Sequence, residues 1–433
     1  MDISESNLAV LAFIIGAFLA AVANYLADRW GWTPRYRSPW RRFPRDNSST
    51  RYPQRAFYDY LPIIGWLTLA RFSFVRSSKA TRVAGDYSAI SGWESRFFWV
   101  RGFLVELLFA LLIAFRCLYW RETYNLPVWY VETAFFWFLL VAALIDLDDY
   151  IIPDVVTITA TLVALAVACV ASQCVLLEPT FFPYDKFSTR VEHSFTLWTS
   201  TLAYKRFGAS PSFASQAFIL PLVAIWTFWC FALLDRRFYP RLGLRRAFAL
   251  FFRRLFCSRL TLYVAVIWAL GLAALLTIGR FPLPFPTSLD SLALAFIGLF
   301  FGVLLIWIVR IVGGMALGKE AMGFGDVILG GVIGAFLGWQ GVLVVFFLAP
   351  FFGLVFGIIR RGFQAEREIP YGPFLALASA AYLIWREKFD EVLRPLFHDL
   401  ALLAVLGFGG LILFIVLLAL IRIVKEIRYR NER

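Results

Sequence analysis

Long apolar runs alternate with short polar stretches along the whole chain. About eleven of these runs approach the roughly 20 residues that a membrane-spanning helix needs. The runs are continuous rather than alternating between apolar and polar residues, so they predict helices and not the strands of a membrane barrel. We therefore predict an all-α polytopic membrane protein, a helical bundle of about eleven transmembrane segments.

Composition and charge add an orientation to this pattern. The chain has 433 residues, of which 61% are hydrophobic and 16% are charged, and its net charge is +13. Most of the arginines lie in short loops, and loops rich in arginine and lysine stay in the cytoplasm. This bias predicts an external N-terminus and a cytoplasmic C-terminus. We interpret the positive charge as a signal for topology and for contact with anionic membrane lipids, and we expect no nucleic-acid partner.

Two local patterns predict how parts of the bundle pack. Gly330, Gly334 and Gly338 recur every four residues, which leaves one helix face nearly bare and suited to close contact with a neighbouring helix. The helix that carries them, 327–338, is too short to span, so it must tilt, thin the bilayer or turn back early. The apolar segment 61–70 is also too short, and we expect it at the membrane interface or packed into a small cytosolic lobe.

Two acids at the ends of apolar runs carry the candidate chemistry. Asp146 ends the run 134–145 and opens the acidic turn DLDDYIIPD, and Asp326 lies in the glycine-rich stretch GKEAMGFGDVILGG at the mouth of another helix. Charge bias and helix parity bring both acids to the cytoplasmic face. Two carboxylates beside one water share a proton, so one can act as general base while the other polarises a carbonyl, as in aspartic proteases. Gly323 and Gly325 would permit a close approach of the substrate.

The residues by themselves leave other interpretations open. Ion or proton transport uses intramembrane acids as well. A transporter is expected to show acids deep in mid-helix and an internal repeat, whereas the two candidate acids lie at helix ends and the sequence shows no repeat. Asp154 fits a helix cap, and Asp148 and Asp149 fit solvated turn residues. The two histidines and the five scattered cysteines give no spacing typical of zinc ligands, so we predict no metal site.

Three motifs in order resemble a known family, the type IV prepilin peptidases, which are membrane aspartic peptidases of the bacterial inner membrane. The motifs are LIDLDDYIIPD, GKEAMGFGD and IPYGPFLALAS. The resemblance places the two catalytic acids on Asp146 and Asp326. It also implies that the following residues of the glycine-rich and IPYGP motifs shape the site: Gly323, Gly325, Pro370, Gly372 and Pro373. Glu106, an acid within an apolar run, falls on an acid of the family.

The resemblance implies a function and a set of partners. Such enzymes cut the short basic leader from type IV pilins or from type II secretion pseudopilins at the cytoplasmic membrane boundary, so the expected partners are prepilin or pseudopilin proteins. A basic leader would meet local acids, for which the candidates are Asp148, Asp149 and Asp154. The alternatives are a catalytically inactive scaffold or a transporter associated with pilus or secretion machinery. An intramembrane protease of general specificity would not predict the IPYGP motif.

The chain also departs from the family. Many members carry two Cys-x-x-Cys pairs in the cytosolic loop and N-methylate the trimmed pilin with S-adenosylmethionine, but 28–101 contains no cysteine. This departure argues against methyl transfer, so we expect no cofactor for the peptidase and S-adenosylmethionine only if the transfer is retained.

The predicted segments are the first transmembrane helix, 1–27; the basic cytosolic loop, 28–101; helices 2–4 with the first acid, 102–174; an insertion with an outer loop, two extra helices and an arginine-rich loop, 175–291; the peptidase core, 292–386; and an extra C-terminal helix with a basic tail, 387–433.

Overall fold

The computed structural model describes nine stretches of the chain and six single residues. The stretches are 5–31, 57–68, 98–122, 126–170, 211–234, 259–280, 287–317, 322–361 and 370–398, and the single residues are 40, 405, 407, 409, 410 and 412. All regular structure in these stretches is helical, which confirms the all-α prediction. The arginine-rich loop after residue 234, Lys319 and Glu320 of the glycine-rich motif and most of the predicted C-terminal helix lie outside the described residues.

The described stretches contain ten α-helices and one 3-10 helix, and residues 64–68 are also helical. The α-helices are α1 (Glu5–Trp30), α2 (Phe98–Glu122), α3 (Leu126–Asp149), α4 (Asp154–Val170), α5 (Pro211–Ala232), α6 (Arg259–Arg280), α7 (Thr287–Leu317), α8 (Phe324–Arg361), α9 (Gly372–Ile384) and α10 (Arg386–His398), and the 3-10 helix is Phe57–Tyr60. Six of these helices are long and apolar enough to cross a membrane, and α4, α9 and the described part of α5 are shorter apolar helices. The protein is therefore a multi-pass membrane protein, while the count of eleven spans and the orientation of the ends stay predictions.

The chain divides into two compact units. The first comprises Met1–Ala160, Gly323–Leu329 and Val345–Ile384, and the second comprises Thr161–Met322, Gly330–Val344 and Trp385–Arg433. In the first unit α1 packs along α2, and α3 packs against both α1 and α9. The approach of α1 to α2 depends on Gly16, because a methyl group there would lie 2.8 Å from Cα of Ala110.

A buried carboxylate ties the segment 57–68 to the first unit. Glu106 of α2 is only 1% exposed, and its two oxygens accept hydrogen bonds from three donors. The donors are Nδ2 of Asn24 at 3.1 Å, the backbone N–H of Ile63 at 2.6 Å and Nε1 of Trp66 at 2.7 Å. The described part of the predicted short segment 61–70 therefore packs on the ends of α1 and α2.

In the second unit, glycines bring two helix backbones together. Gly298 and Gly302 of α7 contact Gly334 and Gly330 of α8 so closely that a side chain at any of the four would meet backbone of the other helix. This contact confirms the close packing predicted from the glycine repeat. A small-residue interface suits a membrane helix pair, because close approach of backbones replaces the hydrophobic driving force that lipid cannot supply.

The helix α8 is broken at Gly338, whose φ of 77° and ψ of 175° are not helical. A methyl group on Gly334 would lie 3.1 Å from Cγ2 of Val342, eight residues further on. Eight residues of straight helix would separate the two positions by about 12 Å, so the chain must fold back on itself here. This observation confirms that the short glycine-rich helix turns back early. Only glycine adopts the required φ without strain.

Candidate active site

The first candidate acid, Asp146, lies in the last turn of α3. The sequence predicted that the helix ends at residue 145, but it continues through Asp149. The backbone N–H of Tyr150 donates to the carbonyl of Asp146 at 2.9 Å, and Tyr150 itself has a φ of 59°. A left-handed residue directly after the last turn is a common way to end a helix. The prediction of an acidic turn from Asp146 is therefore wrong at its start, where Asp146, Asp148 and Asp149 are helical.

The carboxylate of Asp146 meets the N-terminus of α9. Its side chain is 5% exposed, and Oδ2 accepts a hydrogen bond from the backbone N–H of Gly372 at 3.1 Å. Gly372 is the first residue of α9, so this N–H has no acceptor within the helix. A methyl group at position 372 would lie 2.5 Å from the same oxygen. The contact joins residues 226 positions apart in the sequence and requires glycine.

The second candidate acid, Asp326, lies in the first turn of α8 and is 7% exposed. The backbone N–H of Gly323 donates to its carboxylate, and this carboxylate interacts electrostatically with that of Asp146. A methyl group on Gly323 would lie 3.5 Å from Oδ2 of Asp326, so this glycine sits against the acid. The structure therefore brings the two sequence-predicted acids together in the first unit.

Ile152 lies between the glycine-rich motif and the IPYGP motif. A methyl group on Gly325 would lie 3.0 Å from Cβ of Ile152, and one on Gly372 would lie 3.2 Å from its Cδ1. Ile152 is buried and belongs to the first-acid motif. All three motifs therefore meet at this side chain. The sequence interpretation did not select Ile152, although an apolar pair before Pro153 in an acidic turn is the signal that could have identified it.

Two prolines flank the start of α9. Pro370 and Pro373 are half-buried, and Pro373 is the second residue of the helix, where an N–H has no helical acceptor. Between them, the carbonyl of Tyr371 accepts the N–H groups of Phe374 at 3.0 Å and Leu375 at 3.2 Å. The Pro-x-Gly-Pro sequence thus gives a stiff helix start at which the Gly372 N–H is held in one direction.

Tyr371 was not among the site residues selected from the sequence. Its hydroxyl donates to the carbonyl of Phe346 at 3.4 Å. Burial, followed by the negative charge of Asp326, raises the pKa of Tyr371 above its ordinary value, so the phenol keeps its proton. The signal was its place inside IPYGP, a motif whose proline and glycine residues drew attention through their backbone effects.

Two arginines at helix ends were also missed. Arg101 of α2 forms an ion pair with Asp148, and its Nη2 donates to the carbonyl of Leu144 at 3.3 Å. Arg310 of α7 donates from Nε to the carbonyl of Met322 at 3.0 Å, directly before Gly323 in the sequence. Each guanidinium therefore bonds to a backbone carbonyl that precedes a candidate acid, by two residues at Leu144 and by four at Met322. The sequence shows only arginines near helix ends, for which topology is the usual explanation.

The three acids proposed for leader binding have different surroundings. The carboxylate of Asp148 forms an ion pair with Arg101. Asp149 lies against Gly31, where a methyl group would be 2.5 Å from its Oδ2. Asp154 is exposed as the first residue of α4, and the carbonyl of Pro153 accepts the N–H groups of Val156 and Thr157. Within the described part of the chain, no group of three or more His, Cys, Asp or Glu side chains is placed to hold a metal ion.

A multi-pass helical membrane protein with two buried, interacting carboxylates is the class that this geometry defines. Comparison with known proteins agrees with the resemblance found in the motifs. The model of the type IV leader peptidase family matches residues 251–358. This match includes the glycine-rich motif and Asp326. It begins inside the segment assigned to an insertion and ends before IPYGP, and Asp146 lies outside it.

Several similar proteins carry the name prepilin leader peptidase/N-methyltransferase. The protein of that name from Aeromonas salmonicida (strain A449) is 38% identical over 97 residues, which are 22% of this chain and 33% of the relative. Those from Aeromonas hydrophila and Pseudomonas aeruginosa are 38% and 36% identical over 101 and 104 residues, 23% of this chain and 35% of each relative. The chain thus matches about one third of the length of these relatives. No solved structure matches the chain.

Proposed function

We propose that the protein is a prepilin-type leader peptidase, an aspartic endopeptidase of the bacterial inner membrane that uses Asp146 and Asp326. The observation that carries this proposal is the pair of buried carboxylates, each with one backbone N–H donor from a glycine, at the junction of three motifs. The family match around Asp326 and the names of the similar proteins support the same activity.

The proposed reaction is hydrolysis of one peptide bond by a water held between the two carboxylates. The ionised carboxylate takes a proton from the water, whose oxygen forms a bond to the carbonyl carbon. The protonated carboxyl group donates a hydrogen bond to the carbonyl oxygen and stabilises the tetrahedral intermediate. The carbon–nitrogen bond then breaks, and the proton taken from the water passes to the leaving amine.

The proposed substrate is the short basic leader of a type IV prepilin or a type II secretion pseudopilin. The acids lie at the ends of apolar helices, which suits cleavage just before the hydrophobic helix of such a substrate. Asp149 and Asp154 would attract the basic leader, and Asp148 would do so together with Arg101, which already pairs with it. Asp154 is exposed and the other two acids are half-buried, and charges near a surface raise the rate of encounter more than the affinity.

We propose no methyl transfer. The similar proteins are named as N-methyltransferases as well as peptidases. The loop 28–101, however, contains no cysteine, whereas the resemblance implies two Cys-x-x-Cys pairs there in many members of the family. The described part of this loop next to the bundle, 57–68, is bound to Glu106 through Ile63 and Trp66. We assign no residue to S-adenosylmethionine.

The test is the loss of cleavage in Asp146→Asn and in Asp326→Asn, assayed with a purified prepilin in detergent or nanodiscs. Each variant removes one member of the proton-sharing pair, so we expect kcat/KM to fall by about a thousandfold or more. Glu391→Gln, at an exposed acid of α10, is the control and should keep native activity. Cleavage retained in either aspartate variant would overturn the mechanism. A native protein that cuts no prepilin would favour the scaffold interpretation instead.

A further inference from the structure

Pro350 lies inside α8, in the half that follows the break at Gly338. Proline has no N–H, so the carbonyl of Phe346, four residues earlier, lacks the donor that a helix normally supplies to it. A carbonyl freed in this way within a membrane protein is costly to leave unpaired, and neighbouring groups usually satisfy it. Here the donor is the hydroxyl of Tyr371, which bonds to the carbonyl of Phe346 at 3.4 Å.

Tyr371 also holds the start of α9 through its backbone. Its carbonyl accepts the N–H groups of Phe374 and Leu375, which are the first bonds of that helix. The next residue in the chain, Gly372, donates its N–H to Asp146. The side chain of Tyr371 is therefore bound to α8, while its backbone sets the direction of the N–H that binds the first candidate acid.

The second candidate acid acts on the same side chain. The negative charge of Asp326 and burial both raise the pKa of Tyr371, so its hydroxyl remains a donor throughout the pH range in which carboxylates titrate. A protonated phenol has one hydrogen, and the Phe346 carbonyl accepts it. The orientation of the ring beside Asp326 is consequently fixed by the carbonyl that Pro350 leaves free.

We propose that Tyr371 is a positioning residue of the peptidase: its hydroxyl, bound to the Phe346 carbonyl that Pro350 frees, holds the Gly372 N–H on Asp146 and the ring beside Asp326. We call Tyr371, Phe346 and Pro350 the tyrosine clamp. This inference rests on the proposed function, because positioning has a kinetic meaning only if the two acids react.

The first test is Tyr371→Phe, which removes the hydroxyl and keeps the ring. One neutral hydrogen bond is lost, so we expect kcat to fall about fivefold to tenfold with KM within about twofold of native. The pH profile of kcat should also shift, because the surroundings of both acids change. Tyr382→Phe, within α9 and about three turns after Tyr371, is the control and should leave both quantities native. A native kcat and pH profile in Tyr371→Phe would overturn the proposal.

The second test asks whether Tyr371 acts through the carbonyl that Pro350 frees. Pro350→Ala supplies a helix N–H at position 350, so Phe346 no longer depends on the tyrosine. In the Pro350→Ala background, Tyr371→Phe should lower kcat by less than about twofold. The difference between this effect and the one in the native background is the coupling that a double-mutant cycle measures. Pro221→Ala, at the proline inside α5, is the control background, in which the full cost should remain. An equal cost of Tyr371→Phe in all backgrounds would overturn the clamp.

A measurement without substrate separates failure of the clamp from failure of the proposed function. Hydrogen exchange of a peptide covering 370–375 reports the N–H of Gly372 together with those of Phe374 and Leu375, which bond to the Tyr371 carbonyl. We expect exchange there to speed up severalfold in Tyr371→Phe and to stay native in Tyr382→Phe. Unchanged exchange in Tyr371→Phe would overturn the clamp even if the protein is a peptidase. Faster exchange in a protein that cuts no prepilin would support the clamp geometry and leave the proposed function as the part that failed.

Discussion

At the scale of single residues, the site is defined by how little room surrounds the acids. Gly372 shows this most clearly, since its N–H binds Asp146 and its Cα faces the same carboxylate. Because the acid and the helix start come from distant parts of the sequence, the fit depends on the whole first unit being assembled.

We predict that Gly372→Ala lowers kcat by about a hundredfold or more, because an added methyl group 2.5 Å from Oδ2 must displace the Asp146 carboxylate from its working geometry. Gly353→Ala is a fair control, since its methyl group would make an ordinary 3.5 Å contact with Phe374. The check is steady-state cleavage of a prepilin, with folded protein verified by thermal unfolding. Near-native kcat in Gly372→Ala would mean that the carboxylate is not held where the reaction occurs.

The sequence identified some of these residues and not others for a physical reason. A carboxylate at the end of an apolar run is costly and therefore conspicuous, so Asp146 and Asp326 could be selected without a structure. Tyr371, Arg101 and Arg310 act through bonds to backbone carbonyls of other elements. No local sequence pattern predicts such a bond, because tertiary packing determines which carbonyl accepts it.

At the scale of elements, Glu106 fastens the segment 57–68 to α1 and α2. Its oxygens also hold Ile63 in a left-handed conformation, with a φ of 62° that a β-branched residue rarely adopts. The bond from Ile63 is one of the three hydrogen bonds that satisfy the buried carboxyl group. This element therefore depends on one side chain more than on its own helix propensity.

We predict that Glu106→Gln lowers the stability of the protein by about 1–3 kcal/mol. Glutamine offers one oxygen and one amide NH₂ group, so at least one of the three donors would face another donor. Thermal unfolding in nanodiscs should show a transition several degrees below native, whereas Glu391→Gln, at an exposed acid, should not change it. An unchanged transition in Glu106→Gln would show that the carboxylate is dispensable for holding this segment.

A second prediction at this scale concerns the contact between α7 and α8. Gly334→Val places a branched side chain against the backbone at Gly298, so we expect little folded protein in the membrane. Gly357→Val, later in α8, is the control, because a methyl group there would meet no atom within 4 Å. Equal amounts of folded protein for the two variants, measured by fluorescence-detected chromatography, would contradict this helix contact.

The glycine repeat of α8 could be recognised in the sequence, and the matching pair Gly298 and Gly302 in α7 has the same four-residue spacing. The pairing itself could not be predicted, because many small-residue repeats face lipid or other helices. Likewise, the sequence did not lead us to expect α10, because this helix is polar and amphipathic and lacks the long apolar run that marks a membrane span.

At the scale of the whole molecule, hydropathy predicted a polytopic helical protein but could not give a reliable count of its spans. The helix α8 illustrates the reason: one continuous apolar stretch contains a reversal that depends on the backbone of Gly338 alone. The extent of the insertion 175–291 also stays a prediction, and the family match that begins at residue 251 gives its later part a likeness to known peptidases.

Two carboxylates suffice for the proposed chemistry, so we predict that cleavage does not depend on a metal ion. The sequence offers only two histidines, and its five cysteines have no ligand spacing. Treatment of the purified protein with a strong chelator, followed by removal of the chelator, should leave kcat native. Activity that disappears on chelation and returns with zinc would require a different mechanism.

The central claim is that this protein removes a prepilin leader with Asp146 and Asp326. Its most direct test is the intact mass of a candidate prepilin co-expressed with the native protein or with Asp326→Asn. We expect a shortened pilin without an added methyl group in the first case and the full-length prepilin in the second. A methyl group on the new N-terminus would show that the loop without cysteines still supports transfer. Full-length prepilin with the native protein, or a shortened pilin with Asp326→Asn, would contradict the claim.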